Sequence, residues 1–217
     1  MTRRHAPEPA AALYRAARGL GAALLHEAAG RIGALPSELK PVASGMTLAG
    51  PAFPVVGPPR DNLRLHEAVY AASPGAILVY APAGFAEAGY WGEILTVAAQ
   101  QRKIGGLVIA AGVRDSAMLR KLGFPIFCTA ICIRGTDKSP GLAGGAVQRL
   151  ALGDVVIEAG DLIVGDDDGL CAIPAASAAS VVAAAKKKKA FEDGVMRRLR
   201  AGESTLDILG IKPAAKT

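Results

Sequence analysis

The sequence predicts an α/β protein built around a parallel or mostly parallel sheet. Between residues 61 and 128, segments with the apolar spacing of helices alternate with short runs that are entirely apolar. Such runs are typical of strands buried on both faces, and their alternation with helices is typical of βαβ units. Composition agrees, because 51% of the residues are hydrophobic and only 5% are aromatic, as expected for aliphatic strands and alanine-rich helices.

The elements of the first half follow from local pattern. Ala10–Gly33 is rich in Ala and Leu and predicts one or two helices, whereas the Gly and Pro residues of Pro41–Val56 predict short strands and turns. The βαβ region then predicts helices at Asp61–Ala72, Glu93–Arg102 and Ser116–Leu122, and strands at Ala76–Tyr80, Gly106–Ala110 and Pro125–Cys128.

The second half predicts short strands and then one long helix. The strands are Val147–Leu152, Val155–Glu158, Asp161–Val164 and Leu170–Ile173, joined by Gly and Asp turns. Asp166–Gly169 lacks the further spaced ligands of an EF-hand, so it indicates a hairpin turn and not a cation loop. We expect one domain over residues 1–217, with N-terminal helices at about 10–33, a core at about 41–174, and a C-terminal helix and tail at about 175–217.

The positive charge is concentrated at the C-terminus. The chain has a formal net charge of +6, but from Lys186 onward there are nine basic and four acidic residues. Residues before Lys186 are therefore nearly neutral. The four lysines Lys186–Lys189 spread around a helix, because neighbours lie about 100° apart. This pattern favours a solvated terminal helix over a nucleic-acid surface.

Neither a membrane span nor a disulfide framework is expected. The longest uncharged stretch, Ala68–Ala86, is interrupted by Ser73-Pro74-Gly75 and Pro82-Ala83-Gly84. No apolar signal core follows Arg3 and Arg4. No two of the three cysteines have the spacing of a CxxC pair. The sequence therefore predicts that they are buried, reduced thiols. The sequence therefore predicts a cytoplasmic protein.

Two charged residues follow directly on an apolar strand. Arg114 and Asp115 come after Leu107–Ala110 and before a predicted helix, which is where open α/β sheets bind ligands. Arginine binds carboxylates through a planar fork, and aspartate is a hard oxygen ligand for Mg²⁺. The alternative is that Asp115 only caps the helix that begins at Ser116, with Arg114 solvated.

A second candidate site lies at Ala88–Glu93, which opens another helix. Backbone amides at a helix N-terminus bind small carboxylates. The alternative is that Glu93 only balances the helix dipole. The predicted helices also carry His26 and His66. Histidines in helices more often pack than ligate. His66, close to Asp61, is the better site candidate of the two.

Together these residues form a recognisable pattern. Gly92-Glu93, twenty intervening residues and then Arg114-Asp115 resemble the metal-dependent pyruvate aldolases that cleave 4-hydroxy-4-methyl-2-oxoglutarate and 4-carboxy-4-hydroxy-2-oxoadipate. That family also contains the regulator of ribonuclease activity A. The chain departs from the pattern at Pro59-Arg60, which replaces a glycine, and at Glu93, which replaces an aspartate. Further blocks follow in the family's order: His26-Glu27-Ala28, Asp61-Asn62-Leu63, Leu122–Phe127, Arg134-Gly135-Thr136, Gly153-Asp154 and Asp166–Gly169.

The resemblance implies a layered α/β/β/α sandwich of the swivelling-domain, RraA-like type, with N- and C-terminal helices. It implies trimers or hexamers with active sites between subunits. Asp115 would hold Mg²⁺ or Mn²⁺ largely through ordered waters, and Arg114 would bind the pyruvoyl portion of the substrate. Glu192 on the C-terminal helix matches an acidic residue that enters the neighbouring subunit's site. The pyruvate carboxylate would be received by the backbone amides of Gly92, Glu93, Ile94 and Leu95.

The implied activity is retro-aldol cleavage to pyruvate and a second 2-keto acid, with oxaloacetate decarboxylation as a side activity. Arg114, Asp115, Glu93 and Glu192 are the catalytic residues that the resemblance implies. One alternative is a non-catalytic regulator that binds a ribonuclease or helicase; the basic C-terminal helix argues against it, because the regulators stop sooner and are acidic. Another is a paralogue that acts on a different 2-keto acid. We expect a small 2-keto acid and other copies of the chain as partners, and neither a membrane nor nucleic acid.

Overall fold

The computed structural model describes residues 8–212. Two segments lie outside the described part. They are residues 1–7, where the sequence predicts no targeting signal, and residues 213–217 of the predicted tail. The N-terminal region forms two helices, α1 (Glu8–Leu20) and α2 (Ala22–Ala28). This confirms the prediction of one or two helices there.

The middle of the chain alternates helices and strands, as its apolar runs predict. Helix α5 (Ser116–Leu122) is closed by Gly123, whose left-handed φ of 65° is the conformation in which glycine commonly ends a helix. The elements are β1 (Lys40–Pro41), β2 (Leu48–Gly57), α3 (Leu63–Ala71), β3 (Ile77–Pro82), β4 (Gly89–Trp91), α4 (Glu93–Gln101), β5 (Gly106–Val113), α5 (Ser116–Leu122) and β6 (Ile126–Ile131).

The remaining elements are short strands followed by a long helix. Asp166 pairs with Gly169 across a tight hairpin, so the prediction of a turn at Asp166–Gly169 is confirmed. The sequence did not predict β4, β7 (Gly145–Ala146) or α7 (Thr205–Leu209), each of which has five residues or fewer. The elements are β7 (Gly145–Ala146), β8 (Arg149–Leu152), β9 (Val155–Glu158), β10 (Leu162–Asp166), β11 (Gly169–Ile173), α6 (Ala178–Arg200) and α7 (Thr205–Leu209).

Strand β2 links two parts of the main sheet, whose order is β1-β6-β5-β3-β2-β10-β11. Its first half, residues 48–51, pairs antiparallel with β10, and residues 52–57 pair parallel with β3. β3 is parallel to β5 and β5 is parallel to β6. The parallel part has the predicted βαβ connections. Of the predicted β-rich second half, β10 and β11 continue the main sheet, whereas β8 and β9 form a separate two-stranded antiparallel sheet.

Three apolar clusters separate four layers. Helices α3, α4 and α5 cover the outer face of the parallel strands, and helices α1, α2 and α6 cover the outer face of β10 and β11. Between the two β layers, Ile77 and Val79 of β3 share a cluster with Ile163 of β10 and with Leu150 and Leu152 of β8. This is the α/β/β/α arrangement that the resemblance implies, with helices at both ends of the chain.

The C-terminal helix α6 is buried only in its first half, where Ala178, Val182 and Ala185 contact the core. Beyond these residues, Lys188 Nζ lies 2.7 Å from a carboxylate oxygen of Glu27, and Lys189 Nζ lies 2.9 Å from one of Asp193. The lysine run is thus a charged, solvated surface, as predicted. Among residues 8–212, no helix has both the length and the apolar character required to cross a membrane.

The three cysteines are all free thiols. Cys128 and Cys171 are buried, and burial raises the pKa of each thiol to about 11. Cys132 is only half-buried. The prediction of buried, reduced thiols therefore holds for two of the three.

Candidate functional site

The site forms where two neighbouring parallel strands end. Gly89 of β4 pairs with Gly112 of β5, and Trp91 pairs with Val113. Helix α4 begins two residues after Trp91, and the Arg114 N–H donates to the Trp91 carbonyl oxygen at 2.8 Å. Because parallel strands end at the same edge of a sheet, the start of α4 and the Arg114-Asp115 pair lie side by side.

Asp115 bridges the two strand ends. It occupies the N-cap position of α5, but its side chain makes no capping hydrogen bond there. Instead its Oδ2 accepts a hydrogen bond from the backbone N–H of Glu93 at 3.0 Å. Its backbone is left-handed, with φ 57° and ψ 31°, a conformation that costs a non-glycine residue about 1 kcal/mol. The geometry therefore does not support the interpretation of Asp115 as a simple helix cap.

Two glycines allow this close approach. A Cβ atom at Gly92 would overlap Oδ2 of Asp115, and one at Gly89 would lie 2.6 Å from the Cys132 carbonyl oxygen and 3.0 Å from Cβ of Arg114. Any larger residue at either position would displace the charged pair. The sequence pattern included Gly92, but it gave no indication of the role of Gly89.

The Arg114-Asp115 pair remains available to a ligand. Arg114 Nε lies 3.9 Å from Asp115 Oδ2, and the two side chains are 43% and 41% exposed. Such a long, exposed contact contributes little to stability. The guanidinium therefore retains donors for a carboxylate or a keto oxygen.

Residues from the start of α3, from β4 and from the segment after β6 also line the cleft. They are Asn62, His66, Tyr90 and Lys138. The sequence singled out His66 and gave Asn62 only as part of a family block. The cleft is completed by Gly89, Gly92, Ile94, Leu95, Arg114 and Asp115.

Asn62 is held by its neighbours in an unusual way. It occupies the N-cap position of α3 without capping it, while Oδ1 of Asp61 accepts from the Leu63 N–H at 2.8 Å. The Asn62 amide nitrogen donates to the Tyr90 carbonyl oxygen at 2.8 Å, which fixes the orientation of the amide. Its Oδ1 is buried and accepts no hydrogen bond within the described part of the chain. Asn62 therefore carries a buried acceptor without a donor next to the cleft.

His66 also lines the cleft and is partly buried. Burial, and to a lesser degree the charge of Lys138, lowers the pKa of its imidazole, while Asp61 acts in the opposite direction. His66 is consequently neutral at pH 7. It can donate or accept a hydrogen bond without adding charge to the cleft.

The structure does not bring every expected site residue into the cleft. Glu93 contributes its backbone N–H, but its side chain is not among the residues that line the cleft. Glu192 lies elsewhere on α6, 3.2 Å from Lys188 Nζ, beside a depression that Glu27 and Asp166 also line. Within one chain, the cleft thus contains Arg114, Asp115 and the first turn of α4. Gly92, Ile94 and Leu95 are placed there as the resemblance implies.

Asp115 is the one carboxylate among the described residues that line the cleft. Among residues 8–212, no group of three or more His, Cys, Asp or Glu side chains is placed to hold a metal ion. This donor set does not suit a metal held by several protein ligands, but it fits a hydrated Mg²⁺, which commonly keeps several waters and needs only one or two carboxylates.

Comparison with known proteins identifies the family. The sequence profile of RraA-like proteins, described as Aldolase/RraA, matches residues 14–172. The chain belongs to the RraA-like family. It is 35% identical over 140 residues to a Halalkalibacterium halodurans protein whose name describes a candidate 4-hydroxy-4-methyl-2-oxoglutarate aldolase. This match covers 64% of the chain and 66% of the relative, so the chain spans just under two thirds of that protein.

Solved structures share the fold. An uncharacterized protein from Pseudomonas syringae pv. tomato has a TM-score of 0.80 at 23% identity, over 98% of this chain and 99% of that one. Streptomyces coelicolor RraAS2, described as an unusual member of the RNase ES inhibitor RraA protein family, has a TM-score of 0.72 at 27% identity, over 90% of this chain and 100% of that one. The RraA-like family thus includes proteins named for catalysis and for ribonuclease inhibition.

Proposed function

We propose that this chain is a divalent-metal-dependent pyruvate aldolase. Its reaction is the retro-aldol cleavage of 4-hydroxy-4-methyl-2-oxoglutarate or 4-carboxy-4-hydroxy-2-oxoadipate to pyruvate and a second 2-keto acid, with oxaloacetate decarboxylation as a side activity. The observation that carries the proposal is the arrangement of Arg114 and Asp115 beside the first turn of α4. A cation, a carboxylate and helix-start amides together suit a 2-keto acid.

The first turn of α4 supplies the carboxylate site. The N–H groups of the first four helix positions have no partner within the helix. The N–H of Glu93 donates to Asp115, whereas Ile94 and Leu95 line the cleft. Their N–H groups, together with the positive end of the helix dipole, bind the substrate's first carboxylate.

Arg114 and Asp115 act on the keto end of the substrate. The C4 hydroxyl loses its proton and becomes the keto group of the second product as the bond between C3 and C4 breaks. The electron pair of that bond leaves negative charge on the 2-keto oxygen of a pyruvate enolate, which gains a proton at C3 to give pyruvate. The guanidinium of Arg114 binds and stabilises that charge. Asp115 would hold Mg²⁺ or Mn²⁺ through ordered waters, and such an ion would supply Lewis-acid stabilisation of the developing negative charge. The hydrogen bond from Glu93 fixes where Asp115 presents its carboxylate.

Exposed apolar side chains beside the cleft support a shared site in a trimer or hexamer. Ile94, which lines the cleft, is 77% exposed, and Ile133 is 91% exposed. Ile133 is close to the cleft in the fold, because the neighbouring Arg134 carbonyl oxygen accepts from the Gly89 N–H at 2.8 Å. A second copy that covered these residues would also be the source of Glu192, which lies outside the cleft of its own chain.

The decisive test is an assay for pyruvate. The chain is incubated with 4-hydroxy-4-methyl-2-oxoglutarate and Mg²⁺, and pyruvate release is coupled to lactate dehydrogenase. We expect release that is lost with EDTA and in Asp115→Ala. Release no faster than that of Asp115→Ala would reject the aldolase. A parallel assay with oxaloacetate tests the side activity and distinguishes a paralogue that acts on another 2-keto acid.

A regulator that binds a ribonuclease or helicase is the second candidate, and the likeness to S. coelicolor RraAS2 at 27% identity favours it. The open cleft argues for catalysis, because a docking surface needs no buried, unpaired acceptor such as Asn62 Oδ1. Absence of turnover, together with inhibition of a ribonuclease by the purified chain, would select the regulator.

A further inference from the structure

A second cavity lies at the other end of the parallel strands from the Arg114-Asp115 cleft. It is a groove of about 280 Å³ between α1, β2 and the turns that precede β3 and β5. Strand β5 has eight residues, so at about 3.3 Å per residue the two cavities lie about 25 Å apart. We call it the basal groove. Its lining includes Tyr14, Arg15, Arg18, Pro51, Pro74 and Lys103.

One face of α1 forms a wall of the basal groove. Ala11, Tyr14, Arg15 and Arg18 line it and recur at intervals of three and four residues. Side chains at this spacing share one face of a helix, with Cβ atoms about 5–6 Å apart. Both arginines are exposed. Helix α1 therefore presents two guanidinium groups side by side at the mouth of the groove.

Lys103 brings a third cation from the other side of the groove. It follows the C-cap residue of α4 and has a left-handed φ of 58°, at a position where helices commonly have glycine. Its carbonyl oxygen accepts from the Gly75 N–H at 2.7 Å, which joins it to the turn before β3. The backbone here favours a residue without a side chain, yet the chain has a lysine whose side chain lines the groove.

The positive charge of the basal groove is not balanced by the described side chains. None of Arg15, Arg18 and Lys103 forms an ion pair with them. No acidic residue is among the described residues that line the groove. Arg18 also lines an adjoining depression together with Arg120. Because like charges repel one another, an anion that binds among these cations is favoured.

The floor of the basal groove is apolar. Pro51 and Pro74 line it together with the half-buried ring of Tyr14. Burial raises the pKa of the Tyr14 hydroxyl, so this group stays protonated and can donate a hydrogen bond. A small inorganic ion would leave the apolar floor in water, whereas a ligand with an apolar body would cover it.

We infer that the basal groove binds a phosphate monoester with an aromatic or hydrocarbon body. The phosphoryl group lies among Arg15, Arg18 and Lys103, and the body lies against the apolar floor. A phosphoryl group has nearly two negative charges at pH 7 and three acceptor oxygens, so it balances three cations better than a single carboxylate does. Arginine binds such a group through its planar fork. This site does not depend on the proposed aldolase reaction.

Two probe ligands test the ligand class. Titration calorimetry at low salt compares phenyl phosphate with inorganic phosphate. We expect wild type to bind phenyl phosphate with a submillimolar Kd and about tenfold more tightly than inorganic phosphate, because burial of the ring adds to the affinity. The affinity should fall as NaCl is raised. No binding of phenyl phosphate at millimolar concentration, or equal affinities for the two probes, would overturn the inference.

Charge-removing variants locate the anion. Arg18→Met and Lys103→Met should each weaken phenyl phosphate binding about fivefold, as for loss of an exposed ion pair. Arg149→Met, which removes an exposed cation of β8, and Arg114→Met, which removes the cation of the cleft, should bind like wild type. Binding that is lost in Arg114→Met and kept in Arg18→Met and Lys103→Met would place the anion in the cleft and reject the basal groove.

Tyr14→Ala tests the apolar floor. It should reduce the preference for phenyl phosphate over inorganic phosphate, and because both affinities are measured on the same variant, a general loss of affinity cancels. An unchanged preference would contradict the placement of the body.

A second copy of the chain is the other occupant that the groove could have. Sedimentation of wild type and Arg18→Met distinguishes it from a small ligand. We expect the two to have the same oligomeric state. Dissociation of an oligomer by Arg18→Met would assign the groove to a contact between copies and overturn the ligand site.

Discussion

The backbone N–H of Glu93 donates to Oδ2 of Asp115 at 3.0 Å, across the gap between the ends of β4 and β5. This bond joins two segments that are separated by 22 positions in the sequence. It holds the carboxylate over the start of α4, and Gly92 provides the space for it. The position of the charged group therefore depends on a residue without a side chain.

Replacing Gly92 with alanine should impair activity through Asp115. The new Cβ would overlap Oδ2 and lie 3.2 Å from Arg114 Cγ, so both side chains must move. Displacement of a reacting group by about 1 Å commonly costs about 100-fold in rate. The measurement is kcat/KM for pyruvate release. Gly19→Ala is the control, because a Cβ there meets nothing within 4 Å; equal activities of the two variants would contradict the steric argument.

Asp115→Asn separates the charge of Asp115 from its structural role. Asparagine tolerates left-handed backbone and retains an oxygen that accepts from Glu93. We expect the free energy of unfolding to change by less than about 0.5 kcal/mol, while kcat/KM falls about 100-fold because the carboxylate is lost. The measurements are urea unfolding and the pyruvate assay. A stable, fully active Asn variant would show that the negative charge is not needed.

Much of the fold was predictable because its signals are local. The strands β3 and β5 are apolar runs between Gly or Pro residues, and both were predicted to within a few residues. β4 was not, since Gly89-Tyr90-Trp91 has no strand pattern of its own. It is a strand only because Gly89 and Trp91 pair with β5. Pairing across the sheet, which no local window contains, decides that element.

The residues of the site likewise fall into those that local sequence predicts and those that only contacts distant in sequence bring together. Arg114 and Asp115 could be predicted because they directly follow a buried strand, where α/β sheets bind ligands. Lys138 lies in an irregular segment with no motif. It reaches the cleft because Ser139 and Asp137 are bound to Asp61 and Arg60, which are distant in sequence. The side-chain orientation of Asn62 likewise depends on the carbonyl oxygen of Tyr90.

Thr96→Val should destabilise the core beside the site. The buried indole of Trp91 donates from Nε1 to Thr96 Oγ1 at 2.7 Å, and that hydroxyl donates to the Gly92 carbonyl oxygen at 3.0 Å. Valine keeps the shape but leaves the indole N–H without a partner, which costs about 2 kcal/mol. Urea unfolding followed by fluorescence of this single tryptophan measures the change. Thr129→Val, on an exposed position of β6, is the control, and equal stabilities of the two variants would refute the account.

Pro59-Arg60 stands where the resemblance implies a glycine, and Arg60 has a strained backbone. Its φ of 59° is left-handed, and its guanidinium lies 4.3 Å from the centre of the Phe85 ring. Arg60→Ala keeps the strained backbone and loses the ring contact, whereas Arg60→Gly relieves the strain. We therefore expect the Gly variant to be more stable than the Ala variant by about 1 kcal/mol. Thermal unfolding compares the two, and the opposite order would contradict the backbone argument.

His66 should make stability depend on pH. Burial first, and then the charge of Lys138, lowers its pKa from 6.5 in the folded protein, so below pH 6.5 the unfolded chain binds more protons. The contribution of neutral His66 is fully present above pH 6.5 and is lost as the pH falls toward the folded pKa. Between pH 8 and pH 5, wild type should lose more unfolding free energy than His66→Gln in urea titrations. Lys138→Met, which removes one cause of the lowered pKa, should fall between them. Parallel curves for wild type and His66→Gln would show that His66 does not titrate differently on folding.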